Sequence, residues 1–112
     1  MGNPVVHLEL QTPNLPRACD FYSQLFGWRI ETVRSYLTMA LGEGIQGGVV
    51  ECDGEGASWV PYVEVADIAA ATERGHRLGA AVSLCPREGP AGWRSVLEVP
   101  DGAEIALWQF KR

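Results

Sequence analysis

Three polar side chains that could do chemistry alternate along one predicted strand near the start of the chain. In "VVHLELQT", His7, Glu9 and Gln11 fall on one face, and the apolar residues between them fall on the other. A histidine beside a carboxylate can act in acid–base catalysis, hold a ligand by hydrogen bonds or bind a metal ion. The alternative is a pocket or core histidine that is satisfied by Glu9 or by water. The partners of His7 therefore decide among these roles.

Similar side chains recur in the second half of the chain. Tyr62 and Glu64 alternate in "WVPYVEV", and Glu104 and Trp108 alternate in "AEIALWQF". Polar groups repeated on one face of several strands are costly to bury unpaired, so we expect this face to line a solvated cavity. The candidate ligand-binding residues are His7, Glu9, Gln11, Tyr62, Glu64, Trp93, Glu104 and Trp108. His7 and Glu9 are the candidate catalytic pair.

The first of two segments that position these residues reads as strand, helix and three strands. Asn14 is a predicted helix cap and Gly27 a predicted stop. The predicted buried stripe of this helix comprises Leu15, Ala18, Tyr22, Leu25 and Phe26. The strands "WRIETV", "YLTMAL" and "EGIQGGVVE" follow, with a turn predicted near Arg34 and Ser35.

The same order returns after the Gly-rich stretch "CDGEGAS". A strand leads to a helix capped by Asp67 and ended by Gly79, and three more strands follow. The predicted inner side of this helix comprises Ile68, Ala71, Gly75 and Leu78. The chain thus predicts an α+β fold of two βαβββ modules, residues 1–51 and 59–112, joined by the linker 52–58. We expect a single domain with an open, cup-like sheet of eight strands.

Composition excludes several classes of protein. The chain has 112 residues and a formal net charge of -5, and it lacks a cluster of basic residues, which argues against nucleic acid as a partner. It contains no apolar run long enough for a transmembrane helix. The three cysteines, Cys19, Cys52 and Cys85, lack metal-ligand spacing. We therefore expect a cytoplasmic protein with free thiols and no membrane partner.

Three stretches resemble the vicinal oxygen chelate superfamily, which includes glyoxalase I, extradiol dioxygenases and bleomycin-resistance proteins. They are "HLELQTPNLPRACDFYSQLFGW", "WVPYVEVADIAAA" and "VPDGAEIALWQ", and they are distributed along the chain from residue 7 to residue 109. The resemblance implies the same paired βαβββ fold. It does not imply one function, since the fold hosts many.

The resemblance also implies metal ligands on the first, fourth, fifth and eighth strands. His7 occupies the first of these positions, whereas Val60 and Ala106 occupy the fifth and eighth. Valine and alanine offer no donor atom, so we expect no metal and no other cofactor. If a metal were bound, His7 and Glu51 would be its ligands. Displaced donors that remain are Tyr62, Glu64 and Glu104.

Two functional hypotheses follow. The first is a small-molecule-binding protein of the bleomycin-resistance type. With Glu9, Glu64 and Glu104 around the cavity and Arg94 as the one basic side chain expected near them, a neutral or cationic organic ligand is favoured. The second is a lyase, isomerase or oxygenase-like enzyme that uses His7 and Glu9. Exposed strand edges favour a C2 homodimer in either case, and a purely structural role is disfavoured.

Overall fold

The computed structural model describes residues 2–33, 36–42 and 44–111. Within these ranges the elements are β1 (Val5–Thr12), α1 (Leu15–Phe26), β2 (Ile30–Val33), β3 (Tyr36–Gly42), β4 (Ile45–Glu51), β5 (Ser58–Glu64), α2 (Ile68–Arg77), β6 (Ala81–Glu88), β7 (Gly92–Glu98) and β8 (Glu104–Phe110). The turn predicted at Arg34 and Ser35 lies outside the described residues. Neither α1 nor α2 is long and apolar enough to cross a membrane.

The chain divides into two compact units. One spans Val6–Val60, and the other unites Pro61 onward with the segment that ends at Val5. The eight strands have the order β2-β3-β4-β1-β5-β8-β7-β6. In the first unit β1 pairs parallel with β4, and in the second β5 pairs parallel with β8. Each unit therefore repeats one connectivity, as the sequence predicts, and the boundary between the units falls within β5.

Local sequence determines where the helices begin. The side chain of Asn14 accepts a hydrogen bond from a backbone N–H in the first turn of α1, and Asp67 does the same for α2. Gly27 ends α1 in the left-handed conformation, with φ of 71°. These three predictions are confirmed. Pro16 is tolerated because it lies in the first turn, where its missing N–H has no partner to lose.

Each unit packs its helix against one face of its own strands. In the first unit the buried core is formed by Leu10, Met39 and Val49. In the second it is formed by Val65, Ile68, Ala80, Leu97 and Leu107. Because side chains alternate along a strand, the residues that lie between these core positions point to the opposite face. The candidate site residues belong to that other face, with one exception described below.

Three residues expected on the inner sides of the helices are exposed instead. Leu25 and Phe26 are 58% and 55% exposed, and Leu78 is 69% exposed. Phe26 lies in the last turn of α1, where it contacts the rings of Tyr22 and Trp28 from outside. Leu78 is the C-cap of α2, so helical spacing no longer determines where its side chain points. The prediction of burial was wrong for these three.

Candidate functional site

The face of β1 that carries His7, Glu9 and Gln11 points away from α1. The intervening residue Leu10 is buried in the core on the other face. The parallel register with β4 places Gln46, Gly48 and Val50 opposite these three residues, facing the same way. The predicted alternation is therefore correct.

Tyr36 of β3 joins this row and connects its members. Its hydroxyl donates to Glu9 Oε2 at 3.4 Å and lies 3.3 Å from His7 Nε2. The amide of Gln11 donates to Glu9 Oε1 at 3.3 Å. We call His7, Glu9, Gln11 and Tyr36 the Glu9 cluster. These bonds are long, and they leave room for the groups to adjust around a bound molecule.

The hydrogen bonds of Tyr36 favour one tautomer of His7. An ionised carboxylate can only accept hydrogen bonds, so Tyr36 donates its one hydroxyl proton to Glu9. The bond between His7 and Tyr36 then requires a proton on His7 Nε2. Burial lowers the pKa of His7 below its usual 6.5, and the charge of Glu9 offsets this only in part. His7 is therefore a neutral imidazole at pH 7.

Glu9 is the most deeply enclosed charged residue of the cluster. Its exposed fraction is only 4%. The hydrogen bonds that Glu9 accepts within the cluster come from two neutral groups, the Gln11 amide and the Tyr36 hydroxyl. A buried carboxylate in such surroundings favours a nearby cation or hydrogen-bond donor.

Gly48 provides the space in which the cluster forms. A Cβ atom at this position would collide with the Tyr36 hydroxyl and would lie 3.0 Å from His7 Nε2. The sequence analysis did not find Tyr36 or Gly48. A glycine inside a strand often marks a close approach of another group, and the pair "GG" in β4 was the available signal.

A second cluster lies in the other unit, on the matching face of its strands. Arg94 of β7 donates from Nη1 to the hydroxyl of Tyr62 at 3.1 Å. The ring of Tyr62 is 6.3 Å from that of Trp108, and Arg94 is directly opposite Trp108 in the register of β7 and β8. We call Tyr62, Arg94 and Trp108 the Arg94 cluster. Arg94 was expected near the cavity, and its guanidinium group brings a positive charge to this face.

Trp93 is the one predicted ligand-binding residue that lies on the helix-covered face. It precedes Arg94 and therefore points to the opposite face of β7, where it packs against the core around Leu107. The ammonium group of Lys111 lies 5.6 Å from the centre of its ring. Trp93 is a packing residue of the helix-covered face.

The carboxylates predicted in the second half of the chain do not converge. Glu64 is opposite Trp108 in the register of β5 and β8. Glu104 is opposite Glu98 at the start of β8, four positions before Trp108, which corresponds to about 13 Å along the strand. The register from Glu104 to Phe110 is continuous, so Glu104 does share the face of Trp108. The prediction that these residues share a face agrees with the register, and the distance between them along the strand is a quantity that alternation does not report.

The residues do not fit the metal site that the family resemblance implies. Glu51 points to the helix side, where its carboxylate accepts from the backbone N–H of Leu15 at 3.2 Å. It therefore stabilises the start of α1 and does not face His7. Val60 and Ala106 are buried and offer no donor. Within the described ranges, no group of three or more His, Cys, Asp or Glu residues is arranged to hold a metal ion.

Comparison with known proteins decides the family. The model of the Glyoxalase/Bleomycin resistance protein/Dioxygenase superfamily matches residues 5–80. The chain belongs to this superfamily. Among curated proteins, no match is found.

Solved structures show the same fold for members of the superfamily and other proteins. A hypothetical protein from Bacillus halodurans C-125 has a TM-score of 0.72 and 15% identity over 100% of this chain and 97% of its own. For methylmalonyl-CoA epimerase from Mycobacterium tuberculosis the TM-score is 0.66, with 16% identity over 96% of this chain and 88% of that one. For a superfamily member from Vibrio splendidus 12B01 it is 0.65, with 16% identity over 98% and 100%. The predicted α+β fold with an open eight-stranded sheet is confirmed.

The substitution Gly48→Ala tests the space requirement. The new methyl group would displace the Tyr36 hydroxyl, and we expect a loss of about 1–3 kcal/mol in the free energy of unfolding, measured by urea denaturation. In the double variant with Tyr36→Ala, the Gly48→Ala substitution should cost much less stability, because the hydroxyl with which the methyl group collides is absent. Gly56→Ala is the matched control, since a Cβ there would meet nothing within 4 Å. Equal costs at positions 48 and 56 would contradict the account.

The lowered pKa of His7 predicts a pH dependence of stability. The unfolded chain binds a proton at His7 near pH 6.5, whereas the folded chain does so only at lower pH. The contribution of His7 is therefore complete above pH 6.5 and declines as pH falls toward the folded pKa. Urea denaturation between about pH 5 and about pH 8 should show a smaller decline for His7→Gln than for wild type. His76→Gln controls for the loss of a histidine, and parallel curves for wild type and His7→Gln would refute the assignment.

Proposed function

We propose that this member of the superfamily binds a small organic molecule at the Glu9 cluster without a metal ion. The observation that carries the proposal is the Tyr36 hydroxyl, which joins Glu9 to His7 on the face opposite the helix. Structural residues in a sheet seldom retain four interacting polar side chains, because each must be desolvated and satisfied. Binding of a ligand would account for the presence of these four polar side chains on one face of the sheet.

The half-buried members of the cluster provide the contact surface. His7, Gln11 and Tyr36 retain part of their exposure, whereas Glu9 is enclosed behind them. A ligand would thus meet an imidazole, an amide and a phenol, each oriented by the carboxylate. The field of Glu9 favours a neutral molecule with hydrogen-bond donors or an organic cation, and it opposes an anion.

An enzymatic function is the alternative that the same hydrogen bonds support. A neutral His7 and a carboxylate linked by a hydroxyl can exchange a proton with a substrate, as metal-independent lyases and isomerases require. Here His7 and Glu9 would be the acid and base, and Tyr36 would position them. Turnover of a ligand, as opposed to its unchanged recovery after binding, distinguishes the alternatives.

The homodimer stays a prediction from the sequence.

The purified protein is expected to hold no stoichiometric Zn, Ni, Mn or Fe after mild dialysis, because the fifth- and eighth-strand positions are Val60 and Ala106. Elemental analysis by mass spectrometry measures this directly. A tightly held ion in every chain that disappears in the His7→Ala variant would contradict the metal-free proposal.

Ligand charge is tested by calorimetric titration with cationic, neutral and anionic aromatic compounds of similar size. Wild type should bind cationic or neutral members at the Glu9 cluster, and Glu9→Gln should weaken the cations severalfold to about tenfold. Glu31→Gln is the matched control, since it removes the same charge from an exposed position on β2 of the same unit. Unchanged cation affinity in Glu9→Gln, or an equal loss in Glu31→Gln, would reject the proposal.

A further inference from the structure

The two clusters occupy equivalent places in the repeat, but their charges are opposite. In the first unit Glu9 is opposite Gly48, which is opposite Thr38, and Tyr36 lies two residues before Thr38. In the second unit Tyr62 is opposite Ala106, which is opposite Val96, and Arg94 lies two residues before Val96. The hydroxyl-to-carboxylate bond of one unit thus corresponds to the guanidinium-to-hydroxyl bond of the other. The residue equivalent to Glu9 in the second unit is therefore Tyr62, and its hydrogen-bond partner is the permanently charged Arg94.

A second arginine lies next to Arg94. Arg87 of β6 is directly opposite Arg94 in the antiparallel pairing with β7, so both side chains leave the same face of the sheet. Like charges directly opposite each other on adjacent strands destabilise the sheet. An anion that lies between the two guanidinium groups could accept two parallel hydrogen bonds from either.

Trp108 adds an aromatic surface beside this pair. A Cβ at Gly92 would lie 2.8 Å from Trp108 Cζ2 and 3.1 Å from Cε2, so the indole extends over the bare backbone of β7 at that residue. Gly92 is two residues from Arg94 and shares its face. Phe110, which is 42% exposed, meets Trp108 edge-on at 5.6 Å. A planar ring can therefore lie against the indole near the guanidinium groups.

We propose that Arg87, Arg94, Tyr62 and Trp108 form a binding site for aromatic carboxylates. The carboxylate would contact the arginines, and the ring would contact Trp108. Tyr62 is 6% exposed, and its hydroxyl accepts a hydrogen bond from Arg94, which restrains the position of the guanidinium group. Trp108 has Glu64 of β5 on one side and Arg94 of β7 on the other. The carboxylate of Glu64 repels an anion placed near it, so the ligand carboxylate is expected to point toward Arg87. These four residues belong to the second unit, and they attract a ligand group of the opposite charge to the one that Glu9 favours.

The test is calorimetric titration of the whole protein with 2-naphthoate and with its uncharged analogue 2-naphthamide at low and high salt. Naphthoate should bind about tenfold or more tightly than the amide, and its affinity should fall as salt rises. Arg94→Gln and the exposed Arg87→Gln should each weaken naphthoate severalfold or more, with little effect on the amide. Arg74→Gln on α2 is the matched control for the loss of one positive charge and should leave both affinities unchanged.

Other variants keep the proposal open to refutation. Glu64→Gln should strengthen naphthoate binding, because it removes the repelling charge without changing shape. Circular dichroism verifies that each variant is folded, and Arg87→Gln alters only an exposed side chain if Arg94→Gln is unstable. Equal affinities for acid and amide, an unchanged affinity in Arg87→Gln, or an equal loss in Arg74→Gln would overturn the site. The proposal made for the Glu9 cluster is decided by a different experiment, the titration of the Glu9→Gln variant.

Discussion

The missing side chain at Gly48 is the constraint on which the candidate site depends. It allows the Tyr36 hydroxyl to pass over β4 and reach both Glu9 and His7. Without that approach the carboxylate would be enclosed with the Gln11 amide as its one remaining partner in the cluster, and burying a charge with so few partners is costly. With it, four polar side chains form one hydrogen-bonded set on the face that the helix does not cover.

The same arrangement supports the proposal that the chain binds a ligand without a metal ion. A metal ion would need several convergent donors around His7. The neighbouring residue of β4 is Gly48, which has no side chain, and His7 Nε2 is hydrogen-bonded to the Tyr36 hydroxyl. The polar atoms of the cluster are thus joined to one another by hydrogen bonds, which are long enough to adjust around a ligand. In the second unit the equivalent hydrogen bond has a cation in place of the acid, so one repeated backbone supports two chemically different surfaces.

The sequence predicted features that depend on local chemistry. Helix caps at Asn14 and Asp67, the stop at Gly27 and the alternation in β1 each follow from a few neighbouring residues. It failed where the answer depended on register or phase between strands. Trp93 and Arg94 differ by one position, and that one position separates the core from the site. Tyr36 could not be identified because its partners are on strands whose register is set across β4, with a shift near Gly42. Glu51 was assigned from proximity in sequence, but alternation turns it toward α1.

The protonation state of His7 is the most direct test of the account. A long-range ¹H–¹⁵N spectrum of the protein with labelled histidine, recorded near neutral pH as purified and again after chelation, distinguishes the two neutral tautomers, the imidazolium ion and a metal-bound ring. The hydrogen bonds predict a neutral His7 with its proton on Nε2, unchanged by the chelator, and a change in its shifts in Tyr36→Phe. A proton on Nδ1 together with a chelator-sensitive Nε2, or a charged imidazolium, would contradict the central claim that Tyr36 and Glu9, and not a metal, hold this residue.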